Sequence, residues 1–199
     1  MGVNLYGTES GRRRLAALRV GIAGAGGLGS NCAMHLVRAG VGHLAIADFD
    51  VVTESNLNRQ FFFRDQIGRP KVEALAENLR RIDPGVDLNT YPVRVTPDNF
   101  ALLFAGCDIV VEAFDDEAAK RMFLVEAPRL GKPMVVASGI AGWGRSDSVR
   151  LKRMGQHLVV VGDGVSAVSP TMPPVSPRVG IAAAMQANAV CAMALGIEP

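Results

Sequence analysis

The sequence from Val20 to Gly29 reads Val-Gly-Ile-Ala-Gly-Ala-Gly-Gly-Leu-Gly, an apolar run that passes directly into a glycine-rich turn. Apolar residues at helical spacing follow over residues 28–39, and a glycine at position 40 ends that pattern. Residues 43–47 then have the pattern of a second buried strand. A strand, a turn, a helix and a further strand within about 30 residues make a β-α-β unit, so the sequence predicts a parallel sheet.

The glycine-rich turn matches the G-x-G-x-x-G fingerprint of nucleotide binding. Such glycines allow a tight turn and a close approach to phosphate, and the helix that follows directs unpaired N–H groups at the phosphate. The residues concerned are Gly24, Gly26, Gly27, Leu28 and Gly29. Asp48 follows the second strand, 19 residues after Gly29, where a carboxylate accepts hydrogen bonds from ribose hydroxyls. The pattern indicates an adenine nucleotide and leaves NAD, FAD and ATP open, with a purely structural turn as the alternative.

The alternation of strands and helices continues along the chain. We predict helices over residues 70–82, 99–104, 116–130 and 178–195, and strands over residues 86–93, 108–114 and 133–137. Residues 148–152 and 157–161 are expected to pair as antiparallel strands. The predicted fold class is therefore α/β, a Rossmann-like doubly wound, mainly parallel sheet with late antiparallel strands and a closing helix.

One domain accounts for the whole length, because 199 residues with 49% hydrophobic side chains can bury a single continuous core. Within residues 1–199 we distinguish an N-terminal extension over residues 1–18 and an irregular, crossover-like loop over residues 162–177. Four prolines in that loop prevent regular structure. The loop either holds the tail of a partner or is an idle surface loop.

Charge and cysteine content exclude several classes of protein. The formal net charge of +2 is too small to indicate a dedicated nucleic-acid binder. Cys32, Cys107 and Cys191 are too scattered for a disulfide framework or a metal knuckle. No apolar run approaches the roughly 18 residues of a membrane-spanning helix, and the first residues lack the pattern of a signal peptide. We therefore expect no membrane and no nucleic-acid partner, and a cytoplasmic location.

A more specific pattern runs through the segments after the glycine turn. Its parts are Gly24 to Gly29, Asp48-Phe49-Asp50, Asn56-Leu57-Asn58-Arg59-Gln60, Pro70-Lys71 and Asp115. In these motifs, and over roughly residues 19–195, the chain resembles the ThiF/MoeB family, relatives of the ubiquitin-activating enzymes that adenylate small carrier proteins. The stretches Gly162-Asp163-Gly164 and 177–183 resemble the short, zinc-free branch of ThiF proteins.

The resemblance implies an adenylyltransferase that uses ATP and Mg²⁺. Its implied substrate is the C-terminal Gly-Gly carboxylate of a ubiquitin-like sulfur carrier protein, ThiS-like and belonging to thiamine thiazole biosynthesis, with pyrophosphate as the leaving group. The resemblance assigns catalytic roles to Arg59, Lys71 and Asp115, and Asp115 would hold the Mg²⁺. Asp50, Asn56 and Gln60 would join the glycine turn and Asp48 in binding the nucleotide. The family also suggests a homodimer.

The chemistry of these residues agrees with that role without requiring it. Adenylation has to neutralise a triphosphate and then a leaving pyrophosphate, which calls for cations and a metal. Arg59 has the planar fork that suits phosphate, and Lys71 begins a predicted helix where a lone cation is unfavourable, although each has an exposed surface residue as its alternative. Asp115 follows a strand at the sheet edge where ligands bind, but it or Asp116 also suits a helix N-cap. Taken singly, Asn56 and Gln60 are turn-stabilising amides.

The sequence departs from larger family members in two places. The loop over residues 162–177 contains no cysteine and the chain has no Cys-x-x-Cys pair, so we expect neither structural zinc nor covalent capture of the carrier. Many relatives have an N-terminal helix whose arginine reaches the ATP of the partner subunit, and we expect that helix to be shortened here. Arg12, Arg13 or Arg14 either replaces that arginine or belongs to a basic, frayed terminus. Three rival functions remain: an NAD-dependent oxidoreductase, a non-catalytic nucleotide-gated carrier-binding protein, and a cyclase acting on a tRNA base.

Overall fold

The predicted strands pair into one seven-stranded sheet in the computed structural model, which describes residues 8–199. The strands are β1 (Arg19–Ala23), β2 (His43–Ala47), β3 (Asp87–Tyr91), β4 (Ile109–Glu112), β5 (Met134–Ala137), β6 (Arg150–Met154) and β7 (Leu158–Gly162). The order across the sheet is β3-β2-β1-β4-β5-β7-β6. The edge strand β6 runs antiparallel to β7, whereas every other adjacent pair is parallel. The predicted fold class is thereby confirmed.

Helices cover both faces of the sheet. They are α1 (Glu9–Ala17), α2 (Gly27–Arg38), α3 (Lys71–Arg80), α4 (Pro97–Phe104), α5 (Glu117–Arg129) and α6 (Ser176–Leu195). The larger core lies between the sheet and α1, α2, α3 and α6. The smaller core lies under α4 and α5, where Phe100 contacts Phe104 and Phe123 edge to face with ring centroids 5.1 and 5.5 Å apart. Strands buried on both faces read as continuous apolar runs, which is why they were predictable.

Local capping explains where the element boundaries differ from the prediction. The predicted helix over residues 99–104 begins two residues earlier, because Thr96 and Asn99 form a reciprocal capping box and Pro97 occupies the first turn. The first late strand begins at Arg150 and not at residue 148, because Ser146–Ser148 forms a short 3-10 helix. The closing helix begins at Ser176, which shortens the irregular loop to residues 163–175.

Residues 9–17 of the predicted extension are helical and not frayed. Thr8 caps α1 by accepting a hydrogen bond from the Gly11 N–H, and Leu15 buries its side chain in the larger core. Arg13 pairs with Glu9, and Arg14 donates to the Leu195 carbonyl oxygen at 3.5 Å. The expectations about residues 1–7, including the missing signal pattern, lie outside the described residues.

Helix α6 is the longest of the described helices, with 20 residues. By length and composition it could span a membrane, contrary to the expectation that no apolar run is long enough. However, 61% of its apolar 18-residue stretch is buried inside the protein, and the helix packs along α2. Its apolar composition therefore reflects its position in the larger core.

Candidate nucleotide-binding site

The candidate site lies at the carboxyl ends of β1, β2 and β4. The Gly24 N–H donates to the Ala47 carbonyl at 2.8 Å, and the Ala113 N–H donates to the Ala23 carbonyl at 2.9 Å, so the three strand ends are tied side by side. The chain leaves β1 for β2 on one side, while β4 lies on the other. Ligands of open α/β sheets bind at such a reversal of strand order.

Two glycines of the turn between β1 and α2, Gly24 and Gly29, have no room for a side chain. Gly24 has a φ of +104°, and a Cβ there would lie 2.7 Å from the Ala113 carbonyl oxygen. A Cβ on Gly29 would lie 1.8 Å from the Gly24 carbonyl oxygen. Helix α2 begins at Gly27, and no side chain caps it from Gly26. The turn thus presents a helix N-terminus whose backbone N–H groups suit an anion.

Asp48 is built into this turn. One of its carboxylate oxygens accepts a hydrogen bond from the Ala25 N–H at 2.6 Å, and the other accepts from the Asp50 N–H at 2.8 Å. The side chain is only partly buried, and each carboxylate oxygen keeps a second lone pair. Asp48 can therefore hold the turn and still accept hydrogen bonds from a ribose.

Lys71 continues the same chain of contacts. It is the first residue of α3, and its ammonium donates to the Asp50 carboxylate at 2.8 Å. The Lys71 side chain is 7% exposed and the Asp50 side chain 47%, so the exposed lysine of the alternative interpretation is wrong. A cation at a helix N-terminus is unfavourable without a nearby anion, and Asp50 supplies part of the negative charge that Lys71 needs. Ala25, Asp48, Asp50 and Lys71 thus form one continuous contact chain away from the glycine turn.

Arg59 lies against the start of α2. A Cβ on Gly27 would lie 3.6 and 3.8 Å from Cγ and Cδ of Arg59. The arginine is partly buried, and its Nη1 donates to Asn58 Oδ1 at 2.7 Å and to the Ser55 carbonyl at 3.1 Å. Its Nε and Nη2 make no hydrogen bond to residues 8–199 and remain available to phosphate oxygens.

The two candidate amides differ in their surroundings. Asn56 accepts a hydrogen bond from the Thr53 N–H at 3.0 Å within a capping box, so its oxygen stabilises the local turn. Gln60 is buried, and a Cβ on Gly26 would lie 3.8 Å from its Nε2. Its Oε1 is buried without a hydrogen-bond partner in the described part of the chain. A buried unpaired acceptor carries a free-energy cost of about 1–3 kcal/mol, which a ligand donor would remove.

Ser30 and Asn31, which the sequence analysis did not identify, hold the segment that contains Arg59 and Phe61 against α2. The Ser30 hydroxyl donates to the Gly26 carbonyl at 2.6 Å and accepts from the Phe61 N–H at 3.0 Å. The Asn31 amide donates to the carbonyl oxygens of Gly27 at 2.7 Å and of Arg59 at 2.9 Å. The available signal was a pair of polar residues near the start of an otherwise apolar helix.

Asp115 and Asp116 play different parts at the end of β4. Asp116 caps α5, because its carboxylate accepts a hydrogen bond from the Ala119 N–H at 2.8 Å. Asp115 is exposed and makes no hydrogen bond or ion pair with residues 8–199. Those residues also contain no group of three or more potential metal ligands. One free carboxylate suits Mg²⁺ that arrives bound to phosphate oxygens, since this ion commonly takes one or two protein carboxylates.

None of the three cysteines has the character of a nucleophile. All are buried, and burial raises the pKa of both Cys107 and Cys191 to about 11. The pKa of Cys32 is raised further by complete burial and by the neighbouring Cys191. Neutral buried thiols are inert, which agrees with the expectation of inert core cysteines.

The irregular loop over residues 163–175 is anchored at both ends. The Arg178 guanidinium pairs with the Asp163 carboxylate at 2.5 Å, with side chains 5% and 10% exposed. Arg178 also donates to the carbonyl oxygens of Gly144 and Arg145 at 2.8 and 3.1 Å. Burial alone would raise the pKa of Asp163, but hydrogen bonds from Ser166 and Val165 and the Arg178 charge hold it below its ordinary value.

Large apolar side chains are exposed on and beside this loop. They are Trp143, Val165, Val168 and Met172, of which Val165 is 83% exposed. A Cβ on Gly142 would lie 2.9 Å from the Met172 side chain, so the loop folds back over the segment next to Trp143. Exposed apolar patches of this kind mark interaction surfaces.

Comparison with known proteins gives consistent results. A sequence model of the ThiF family matches residues 1–199. The adenylyltransferase and sulfurtransferase UBA4 of Candida glabrata is 38% identical over 146 residues, which is 73% of this chain and 34% of that protein. UBA4 of Aspergillus fumigatus is 40% identical over 131 residues, 65% of this chain and 27% of that protein. The chain thus spans about a third of the length of these curated relatives.

Solved structures show the same fold. The tRNA N6-threonylcarbamoyladenosine dehydratase TcdA of E. coli superposes with a TM-score of 0.87 at 23% identity, covering 96% of this chain and 91% of TcdA. Its complex with ATP gives 0.82 at 24% identity, covering 96% and 89%. E. coli MccB with ATP gives 0.76 at 19% identity, covering 95% and 60%. At these identities the likeness concerns the fold.

Proposed function

This chain belongs to the ThiF family, and on that premise we propose that it adenylates the terminal carboxylate of a small carrier protein at the expense of ATP. The substrate class is a ubiquitin-like sulfur carrier ending in Gly-Gly, and the finer proposal is a ThiS-like carrier of thiamine thiazole synthesis. We further propose that the enzyme acts in the cytoplasm as a homodimer. The curated relatives named adenylyltransferase and sulfurtransferase support the reaction class and leave the carrier open.

The contact chain from Ala25 through Asp48 and Asp50 to Lys71 is the observation that carries this proposal. It joins a phosphate-binding turn to a buried ammonium through two carboxylates. A dinucleotide oxidoreductase has to hold one pyrophosphate and has no need of a buried lysine beside it. A triphosphate whose terminal groups depart has that need.

The proposed reaction begins with the carrier carboxylate attacking the α-phosphorus of MgATP. A carboxylate–phosphorus bond forms, the bond between the α-phosphorus and the bridging oxygen breaks, and pyrophosphate leaves with the bond electrons. The carboxylate is already ionised at neutral pH, so no general base is required. Arg59 and Lys71 stabilise the charge that develops on the phosphate oxygens, and Asp115 holds the magnesium of the substrate against them.

Nucleotide contacts follow from the free groups of the site. The N-terminus of α2 takes a phosphate, and the remaining lone pairs of Asp48 accept from the ribose hydroxyls. The unpaired oxygen of Gln60 calls for a donor, which a ribose hydroxyl or an adenine amino group supplies. The loop over residues 163–175, with its apolar side chains exposed, receives the carrier tail.

Carrier-dependent exchange of labelled pyrophosphate into ATP tests the proposal. The purified chain is incubated with ATP, Mg²⁺ and a panel of carriers that end in Gly-Gly, including a ThiS-like one. We expect exchange with at least one carrier and none with the same carrier lacking its last two glycines. Exchange with another carrier alone would correct the thiamine assignment, and ATP binding without any exchange would favour a nucleotide-gated binding protein.

Calorimetry with ATP·Mg²⁺ and with NAD separates the proposal from the oxidoreductase. We expect heat of binding with ATP·Mg²⁺ and none with NAD at the same concentration. Binding of NAD in preference to ATP would overturn the adenylation proposal, because both ligands use the same glycine turn.

A further inference from the structure

An ion pair between the buried Glu112 carboxylate and the partly exposed Lys120 ammonium lies at the end of β4, three residues before Asp115. Glu112, the last residue of β4, is 1% exposed, and both its carboxylate oxygens accept from the Lys120 ammonium of α5 at 2.9 and 3.1 Å. Lys120 also donates to the Ala137 carbonyl oxygen at 3.1 Å, so it joins α5 to the ends of both β4 and β5. A charge this deep is retained only when it is paired and hydrogen-bonded.

The same carboxylate fixes the turn that carries Asp115. One oxygen of Glu112 accepts from the Phe114 N–H at 2.7 Å, and the other accepts from the Ala137 N–H at 3.3 Å. The Glu112 backbone carbonyl accepts from the buried Gln186 amide of α6 at 2.9 Å. The backbone of Phe114, immediately before Asp115, is thus bound to Glu112. Glu112 is itself held by hydrogen bonds from α5, β5 and α6.

The other side of Asp115 is equally constrained. Asp116 caps α5, and the Lys120 N–H donates to the Asp116 carbonyl oxygen at 3.0 Å. On the nucleotide side, the Ala113 carbonyl oxygen lies close enough to Gly24 to exclude a side chain there. The neighbours of Asp115 on both sides are therefore fixed, while its own carboxylate has no partner in the described part of the chain.

We infer that Lys120 and Glu112 are positioning residues that hold the Asp115 carboxylate at the polyphosphate of the nucleotide. The inference rests on the proposed function, since it assigns Asp115 to the magnesium of MgATP. Neither Lys120 nor Glu112 touches the nucleotide in this assignment. They act through the backbone of the turn, in the way that outer partners of metal ligands fix the ligands themselves.

The test measures how ATP affinity depends on Mg²⁺ in Lys120→Met, with Lys120→Arg as the conservative variant. Calorimetry gives the ATP dissociation constant with and without Mg²⁺, and pyrophosphate exchange gives kcat and the Mg²⁺ requirement. In Lys120→Met we expect ATP affinity without Mg²⁺ within about 2-fold of wild type, a Mg²⁺ requirement raised about 10-fold, and kcat lowered 10–100-fold. In Lys120→Arg we expect a Mg²⁺ requirement close to that of wild type, because arginine keeps the positive charge.

A matched control and a second variant keep the test independent of stability. Arg121 is the next residue of α5, and its side chain is 73% exposed. Arg121→Met also removes a cation and should leave the Mg²⁺ dependence of ATP binding unchanged. If Lys120→Met does not fold, Glu112→Gln/Lys120→Met replaces it, because removing both charges avoids leaving the buried Glu112 carboxylate unpaired. A purely structural pair would lower the melting temperature and leave the Mg²⁺ dependence of ATP binding as in wild type.

The outcomes separate this inference from the proposed function. Ordinary Mg²⁺ dependence in a folded variant without the pair would overturn the positioning role alone. Mg²⁺-dependent ATP binding without pyrophosphate exchange would overturn the proposed reaction and leave the positioning role standing. A wild type whose ATP affinity is indifferent to Mg²⁺ would overturn both.

Discussion

Neighbouring residues of the same type have different surroundings in this site, and those surroundings decide what each can do. Asp115 and Asp116 differ by one position, yet the second caps a helix and the first makes no hydrogen bond or ion pair among the residues that the structure describes. Lys71 is buried against Asp50, whereas an ordinary lysine is exposed. The residue types and their order were predictable, because the glycine turn, Asp48 and the later motifs can be read from the chain. The hydrogen bonds that separate Asp115 from Asp116 depend on the exact course of the backbone and were not.

The two aspartates yield a paired prediction. Asp115→Ala should lower pyrophosphate exchange at least ~10²-fold and change the free energy of unfolding by less than about 0.5 kcal/mol. Asp116→Ala should cost about 1 kcal/mol of stability through loss of the cap and leave most of the exchange activity. Urea unfolding and exchange assays on both proteins check this, and reversed effects would assign the metal to Asp116.

Lys71 gives the second prediction at this scale. Lys71→Ala should reduce carrier-dependent exchange by at least ~10²-fold, because a charge that stabilises the leaving phosphate is lost. Lys152→Ala, on an exposed lysine of the edge strand, is the matched control and should keep wild-type exchange. Wild-type exchange in a folded Lys71→Ala protein would show that Lys71 has no catalytic role.

At the scale of elements, long apolar patterns were easier to predict than irregular segments. Apolar composition predicts the burial of β4, β5 and α6, and the spacing of apolar residues predicts the buried face of α2. The 3-10 turn at Ser146–Ser148 and the true extent of the loop depend on a few hydrogen bonds from Arg178 and Ser148. The role of Ser30 and Asn31 was also missed, since their partners lie in a loop about 30 residues away.

Phe123 packs helix α5 into the smaller core. Phe123 is fully buried and contacts both Phe100 and Phe114 edge to face. Phe123→Ala should lower the free energy of unfolding by about 3–5 kcal/mol, because it opens a cavity. Leu102→Ala, on a side chain that is 84% exposed, should change it by less than about 0.5 kcal/mol. Urea unfolding measures both, and similar small losses would contradict the packing described.

The loop over residues 163–175 gives a prediction that separates carrier from nucleotide. Val165→Ser/Val168→Ser removes two exposed apolar side chains without touching the glycine turn. If the loop receives the carrier, KM for the carrier should rise about 10-fold while ATP affinity stays within 2-fold, in keeping with 1–1.5 kcal/mol of lost apolar contact. Exchange kinetics and calorimetry measure the two quantities, and an unchanged carrier KM would identify an idle loop.

Across the whole molecule, the carboxyl edge of the sheet gathers the candidate chemistry while the two cores below it are apolar. The fold class followed from alternation along the chain, and the edge followed from the rule that parallel strands end together. The sequence did not predict the ion pair that fixes the loop over residues 163–175 between β7 and α6. The Asp163–Arg178 pair joins the end of β7 to the start of α6, and no local pattern announces a contact between those residues.

This fastening makes a prediction about stability and pH. The pKa of Asp163 is held below its ordinary value, so its ionised form favours the folded state. That contribution is complete above about pH 4, the ordinary range of an aspartate, and is lost as the pH falls through the lowered value. The difference in unfolding free energy between wild type and Asp163→Asn should therefore be largest above about pH 4 and shrink in stronger acid. Asp147→Asn, on an exposed aspartate, should parallel wild type, and so would Asp163→Asn if the pair contributed nothing.

The outer boundary of the sheet has a consequence for how copies of this chain can meet. Strand β6 exposes Arg150, Lys152 and Arg153, and within residues 8–199 one side of its backbone has no neighbouring strand. Two copies approaching rim to rim through β6 would bring like charges together, and this repulsion opposes open-ended fibre growth. A stable pair of subunits would thus form through a different surface, and this rim would stay in solvent.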